Sequence, residues 1–281
     1  MEKKKSPGRT ALAVASAALL AAVCILLDSR YDIQLTDYEL ASDRLPPEMD
    51  GLRIVQLSDL HGAEFGRDNG RLIRLVEGQR PDMIALTGDM AGSPGELAAL
   101  ESLLAGIARL APVYYVSGNH EFAGGVIDEL RALLGKYQVR SLENEYEVFE
   151  KNGGRIVIAG VDDPNGRADM VTPAALCASL RSDYPGDYAL LLGHRNYWVA
   201  RYPELPVDLI LCGHAHGGIV RLPFVGGLLN TNHSFGAEYE AGLYYSGSYC
   251  MEVSRGLGNS ISVPRLFNRP ELVTIVLRSG Q

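Results

Sequence analysis

The chain has 281 residues, 47% of them hydrophobic and 21% charged, a composition that supports a buried core and argues against disorder. Its 26 Lys+Arg against 34 Asp+Glu give a net charge of -8, the wrong sign for a protein that neutralises nucleic-acid phosphates over a broad face, so no nucleic-acid partner is expected. Cys24, Cys177, Cys212 and Cys250 show no C-x-x-C spacing, which argues against a thiolate zinc site and a disulfide framework.

Residues 1–9 are basic, with Lys3, Lys4, Lys5 and Arg9, and an apolar run from Ala11 to Leu27, broken only by Ser16, ends at Asp28. That length is near the lower limit of the ~17–25 residues a helix needs to span a bilayer. The positive-inside rule keeps the basic flank in the cytoplasm. Residues 10–28 are therefore expected to be a single-pass signal-anchor helix that holds an extracytoplasmic domain at the cell membrane. A cleaved signal peptide is the rival and would leave a secreted or cell-wall protein; the triplet Ala15-Ser16-Ala17 lies inside the run, a poor place for cleavage. Residues 29–51, polar and carrying Pro46-Pro47 and Gly51, read as a stalk, and residues 52–281 as one catalytic domain.

Within that domain the pattern predicts strands and helices in alternation: a strand over 53–58, a helix over 69–79, a strand over 82–87, a helix over 96–110, a strand over 113–116 and a helix over 126–134. Strands are expected at 146–150, 155–160, 188–192 and 209–212, with a helix near 173–181. Beyond Gly217 the pattern is strand and loop, including 249–253 and 272–277. Together these predict an α/β domain, two sheets packed face to face with helices outside.

Five short motifs follow predicted strands, where open α/β sheets place their ligands. Asp59-Leu60-His61 comes first; in extended chain, residues two apart point the same way, so Asp59 and His61 can address one ion. Gly88-Asp89 puts a carboxylate after an apolar strand. Ser117-Gly118-Asn119-His120-Glu121 offers a neutral oxygen ligand in Asn119 and an acid or base in His120. His194 follows the strand at 188–192. Gly213-His214-Ala215-His216-Gly217 frames two histidines with glycines. Any one of these is an ordinary turn or structural histidine, but five in succession on strand ends point to a metal site. His233, outside the set, reads as a surface-loop residue.

In this order D-x-H, G-D, G-N-H-E, a lone H and G-H-x-H resemble the calcineurin-like metallophosphoesterases. With SDLH, TGDM, SGNHEF, GHAHGG and the late SRGLG and NRPE, the likeness is closest to their membrane-associated bacterial branch and runs from Arg53 to Leu277. The resemblance implies a four-layer α/β/β/α sandwich with two mixed sheets, preceded by one transmembrane helix. It also implies two divalent metal ions, Mn, Fe or Zn with Mn favoured. Asp59, His61, Asp89 and His216 would hold one; Asp89, Asn119, His194 and His214 would hold the other.

The activity implied is hydrolysis of P–O bonds, with phosphodiesters the expected substrates, by a hydroxide bridging the two metals. His120 would serve as catalytic acid and Arg195 as a possible phosphate contact. Gly92 stands where the family often has a second acidic residue, and Asn196 where proline is common; neither removes a ligand. Substrates would be small phosphoesters or lipids, with oligomeric state open. An alternative is pyrophosphohydrolysis of a nucleotide-sugar lipid precursor of the UDP-diacylglucosamine type, for which the segment 222–229 would line an apolar groove. A non-catalytic metal-binding scaffold is the third reading, disfavoured because every ligand position is filled.

Overall fold

The computed structural model describes residues 7–166, 170–230, 235–236 and 238–280. Lys3, Lys4, Lys5 and His233 lie outside them. The first element is the helix α1 (Pro7–Tyr31), whose stretch Ala11–Tyr31 is long and apolar enough to cross a membrane and is unburied by the domain. Only its last turn is seated, with Ser29 fully buried.

The chain then runs β1 (Gln34–Ser42), β2 (Leu52–Leu57), α2 (Gly70–Gly78), β3 (Met83–Thr87), α3 (Leu97–Ile107), β4 (Val113–Val116), α4 (Asn119–Ala123), α5 (Ile127–Lys136), β5 (Arg140–Ser141), β6 (Glu145–Lys151) and β7 (Gly154–Val161). It continues through α6 (Pro173–Asp183), β8 (Ala189–Gly193), α7 (Trp198–Arg201), β9 (Leu209–Cys212), β10 (Arg221–Leu222), β11 (Gly226–Gly227), β12 (Gly242–Tyr245), β13 (Cys250–Val253) and β14 (Glu271–Ser279). Two six-stranded mixed sheets result, ordered β1-β14-β2-β3-β4-β5 and β12-β13-β9-β8-β7-β6.

The period-two alternation of strand side chains sorts the apolar residues into three layers of core. Ile54, Ala85 and Val116 from the first sheet meet Ile158, Leu192 and Leu211 from the second, forming the core between the sheets. Val55, Leu57, Ile84 and Leu86, one residue out of phase, pack against Leu72, Leu100, Leu104 and Leu130 of α2, α3 and α5. On the far face Val157, Ala159, Leu191 and Ile210 meet Leu176 and Leu180 of α6 and Trp198 of α7. Three cores between four layers give the expected α/β/β/α sandwich.

The stalk expected over residues 29–51 is not one throughout. Gln34–Ser42 is β1, paired in parallel register with β14 from Gln34↔Glu271 to Ser42↔Ser279. The strand escapes sequence reading because it is an edge: its faces alternate between exposed and half-buried, so polar residues hold the outer positions while Tyr38 and Leu40 pack on the inter-sheet core. Thr36 fixes the pairing by donating to Glu271 Oε1 at 2.6 Å.

Strands β2, β3 and β4 are mutually parallel, as are β7, β8 and β9. Each trio therefore ends at one edge of its sheet, which brings the five predicted loops together.

Candidate metal centre

Backbone bonds join the loop after β2 to that after β3, and the loop after β8 to that after β9, while His214 N–H crosses between the two sheets to Asp59 Oδ2 at 3.1 Å. Asp59 N–H donates to Gly88 O at 3.0 Å, His61 N–H to Asp89 O at 3.2 Å, and Gly213 N–H to His194 O at 3.0 Å. Gly118 and Gly213 are required by closeness: a Cβ at 118 would lie 2.2 Å from Asp89 Oδ1, and one at 213 would lie 2.0 Å from Ser58 Oγ.

Asp59 and His61 do share a site, but not as alternate residues of an extended strand. Their φ values are 52° and 44°, both left-handed, as are those of Asp89, His214 and His216. Such backbones cost bulky residues energy and persist where surrounding structure over-determines them, most often at functional sites. Here the cross-loop hydrogen bonds do the determining.

Asp89 is the meeting point. Its Oδ2 lies 3.5 Å from His61 Nε2 and 3.1 Å from His194 Nε2, while its Oδ1 accepts from His120 N–H at 2.8 Å. Asp59 Oδ1 lies 3.3 Å from His216 Nε2. Ligand atoms ~2.1 Å from a common ion and ~90–110° apart are separated by about 3.0–3.4 Å, so these spacings suit a shared cation. Asp59, His61, Asp89 and His216 form one group able to hold an ion, and Asp89, His194 and His214 a second, the donor atoms of each lying within 4.8 Å of one another. Asp89 belongs to both.

The electrostatics fit the same occupant. Burial pushes His61 down to about 3 and holds His214 and His216 well below the ordinary imidazole range, leaving neutral rings with lone pairs. Burial pushes Asp59 up to about 6. Burial disfavours charge on His194 too, but Asp89 and Asp59 outweigh it and carry the ring up to about 10; the same attraction keeps Asp89 well below the usual carboxylate range despite its burial. His194 Nδ1 lies 2.8 Å from Thr87 O. A carbonyl only accepts, so Nδ1 keeps its proton, and Nε2, turned to the site beside Asp89, would give up its own proton to a bound cation. Two buried atoms, His61 Nε2 and Asn119 Oδ1, have no hydrogen-bond partner among the described residues, as cation ligands awaiting an ion would.

His120 stands at the mouth, its side chain 39% exposed and its Nε2 4.0 Å from Asp89 Oδ2. Arg195 is held by Asp163 through Nε at 2.5 Å and Nη2 at 3.0 Å. Its remaining Nη1 reaches within 3.1 Å of His214 Nε2. The guanidinium is thus neither on the outer surface nor free, but buttressed against the site wall. Among the described residues the tip of the segment 222–229 faces outward: Leu222 is 41%, Phe224 109% and Val225 67% exposed, in a hairpin that Gly226 and Gly227 close.

Sequence reasoning assigned no role to the residues that brace the ligands. Glu121, fully buried, accepts from the N–H groups of Asp89, Met90 and Gly118 at 3.2, 2.7 and 2.9 Å, locking two ligand loops together. Asn268 Nδ2 donates to His216 O at 2.8 Å and Ile219 O at 3.1 Å. Arg265, buried, donates to Gly258 O and Arg255 O, and Gly258 N–H donates to Asp59 O at 2.6 Å. The late SRGLG and NRPE motifs are the visible trace of this bracing.

Residues 52–218 match the family described as calcineurin-like phosphoesterase. The chain belongs to that family. This phosphoesterase is 28% identical over 255 residues to the uncharacterized metallophosphoesterase YkuE of Bacillus subtilis, covering 88% of this chain and 86% of that one. It is 29% identical over 233 residues to phosphodiesterase YaeI of Escherichia coli, covering 80% and 82% of the two chains. Over 289 residues it is 31% identical to a transmembrane protein with metallophosphoesterase domain from Bos taurus, covering 97% of this chain but 63% of the bovine one. The phosphoesterase is accordingly a hydrolase.

Proposed function

We propose that this phosphoesterase cleaves phosphodiesters with two divalent cations at the extracytoplasmic face of the cell membrane. The observation that carries the reading is the convergence of two ligand groups on one carboxylate, Asp89, whose Oδ2 faces a histidine of each group, His61 and His194, as a carboxylate shared by a pair of ions would. Asp59, His61, Asp89 and His216 would hold one cation; Asp89, Asn119, His194 and His214 would hold the other. Mixed imidazole and oxygen donors suit Mn, Fe or Zn, with Mn favoured over the others. Bound there, the cations would supply charge neutralisation for the phosphoryl oxygens and acidify a water to near neutral pH.

The chain's own groups do the rest. Glu121 and the crossed backbone bonds hold Asp89 in its left-handed turn, so no reorganisation is needed during reaction. His120, open to solvent at the rim, delivers a proton to the departing oxygen. Arg195, oriented by Asp163, would offer Nη1 to the phosphate once a cation takes up His214. Diester preference is supported by YaeI, which is named a phosphodiesterase, and membrane placement by α1 and the transmembrane bovine relative.

The test is metal content and turnover of bis-p-nitrophenyl phosphate by the full chain in detergent with Mn²⁺, beside Asp89→Asn. The expected result is two ions per chain, diester hydrolysis, and loss of both in the variant. A wild-type chain that binds no divalent ion would overturn the proposal and favour a scaffold; two ions with turnover of the monoester alone would overturn the diester assignment.

A further inference from the structure

Apart from α1, the exposed large apolar side chains among the described residues include three at one tip and one beside its root. Leu222, Phe224 and Val225 crown the β10–β11 hairpin, and Phe267, 52% exposed, lies next to Leu266, which bridges to Val220 at the hairpin's base. Phe224 and Phe267 have φ of 67° and 52°, backbone states that cost a bulky residue energy and here turn an aromatic ring into water. Among the described residues no contact of these rings repays that cost.

The patch is continuous with the place where α1 enters the domain. Asp28 is the first charged residue after the apolar run, so it marks where the hydrocarbon layer ends. Arg269 pairs with Asp28 at 2.9 Å through Nε and with Asp32 at 3.4 Å, and Asn268 N–H reaches Ser29 Oγ at 3.5 Å. Phe267 is two residues from Arg269, a reach of at most about 7 Å. From Leu266, backbone bonds run on to the hairpin root: Arg221 N–H to Leu266 O at 3.0 Å and Leu266 N–H to Ile219 O at 3.3 Å. The chain of contacts thus leads from the end of the anchor through Phe267 to the hairpin.

We propose that Leu222, Phe224, Val225 and Phe267 form a second membrane contact, an apolar surface that enters the outer part of the same bilayer as α1. Its occupant is lipid, because the anchor already fixes the patch beside the bilayer boundary. The contact is apolar in character: Arg221, the cation at the hairpin root, is taken up by Glu240 at 3.3 Å and Gly217 O at 2.7 Å, so anionic headgroups are not required.

The hairpin root is also the metal loop. Leu229 N–H reaches Gly218 O at 3.4 Å, and Gly227 packs so tightly on Gly217 that a Cβ there would lie 2.8 Å from its carbonyl oxygen. Insertion of the tip therefore holds His214 and His216 at headgroup level, and phosphodiesters borne on lipids can be reached without leaving the bilayer. That consequence rests on the phosphoesterase proposal, whereas the docking rests only on its placement of α1 in the membrane.

The full chain is placed in phosphatidylcholine vesicles with ordinary or brominated acyl chains, and tryptophan emission is followed for Phe224→Trp, Phe267→Trp and Glu150→Trp. Glu150 is exposed near the turn at Asn152, which abuts Glu48 beyond the far end of β1, about 30 Å of strand from the anchor; the native Trp198 is buried and supplies a constant background. The emission added at 224 or 267 should fall at least two-fold in brominated lipid, with that at 150 unchanged. Equal emission from both tip variants in the two lipids overturns the proposal, as does quenching that appears only when anionic lipid is added. Catalysis is not read, so failure here is separate from failure of the metal centre.

Discussion

His120 differs from the four ligand histidines in being open to water, and this sets its kinetic signature. If it protonates the leaving oxygen, His120→Gln should lower kcat about 10²–10⁴-fold for an alkyl leaving group. The loss should shrink for p-nitrophenolate, which departs without a proton, and bound metal should be unchanged; a uniform loss across leaving groups would assign the ring to phosphate binding instead. Gly118→Ala probes the closeness of the loops: its Cβ would lie 2.2 Å from Asp89 Oδ1, so metal stoichiometry should fall while the fold, read by circular dichroism, persists. At this scale the convergence of the candidate ligands was legible from the motifs, whereas their backbone was not. Asp59 and His61 look like an extended pair; their left-handed turns follow from hydrogen bonds to Gly88 and Asp89, partners that no local rule names. Glu121 and Arg265 drew no role from the sequence for the same reason.

Among elements, the core strands and α2, α3, α5 and α6 were legible because buried strands and amphipathic helices carry strong apolar periods. The edge strand β1 was not, since half its face meets water. A truncated chain beginning at Arg53 should therefore melt at least about 8 °C below one beginning at Asp28, as a loss of several kcal/mol does in a domain of this size, or aggregate through the bared edge of β14; equal melting would make β1 dispensable. Within β13, Glu252 faces the inter-sheet core with neither carboxyl oxygen hydrogen-bonded, near the similarly unpartnered Gln56 Oε1. Burial holds its pKa well above 4.5, so the folded chain keeps a proton that the unfolded chain releases. Stability is then lost as pH rises past the unfolded value, by about 1.4 kcal/mol per pH unit until the folded pKa is reached. Glu252→Gln should raise the melting temperature at pH 8 and converge with wild type near pH 4.5, measured by calorimetry; a gain equal at both pH values would sink the assignment.

For the whole molecule, the ligand set draws on both sheets: Asp59, His61, Asp89 and Asn119 follow strands of the first, His194, His214 and His216 strands of the second. Cations bound there would clamp the sandwich, so chelation should lower the melting temperature, by about 2.7 kcal/mol of stability if free metal had been a hundredfold over its Kd. Asp89→Asn should abolish the response to chelator. The sandwich also sets a condition on biosynthesis. β1 is the first strand made, yet its partner β14 is the last, and β14 lies between β1 and β2. A nascent chain cannot complete its first sheet until Glu271–Ser279 has left the ribosome, and one cut short before Glu271 loses an interior strand and the residue that fixes Arg255. Activity should therefore appear only once β14 is made, so that termination before it yields an inert fragment in place of a weakened hydrolase.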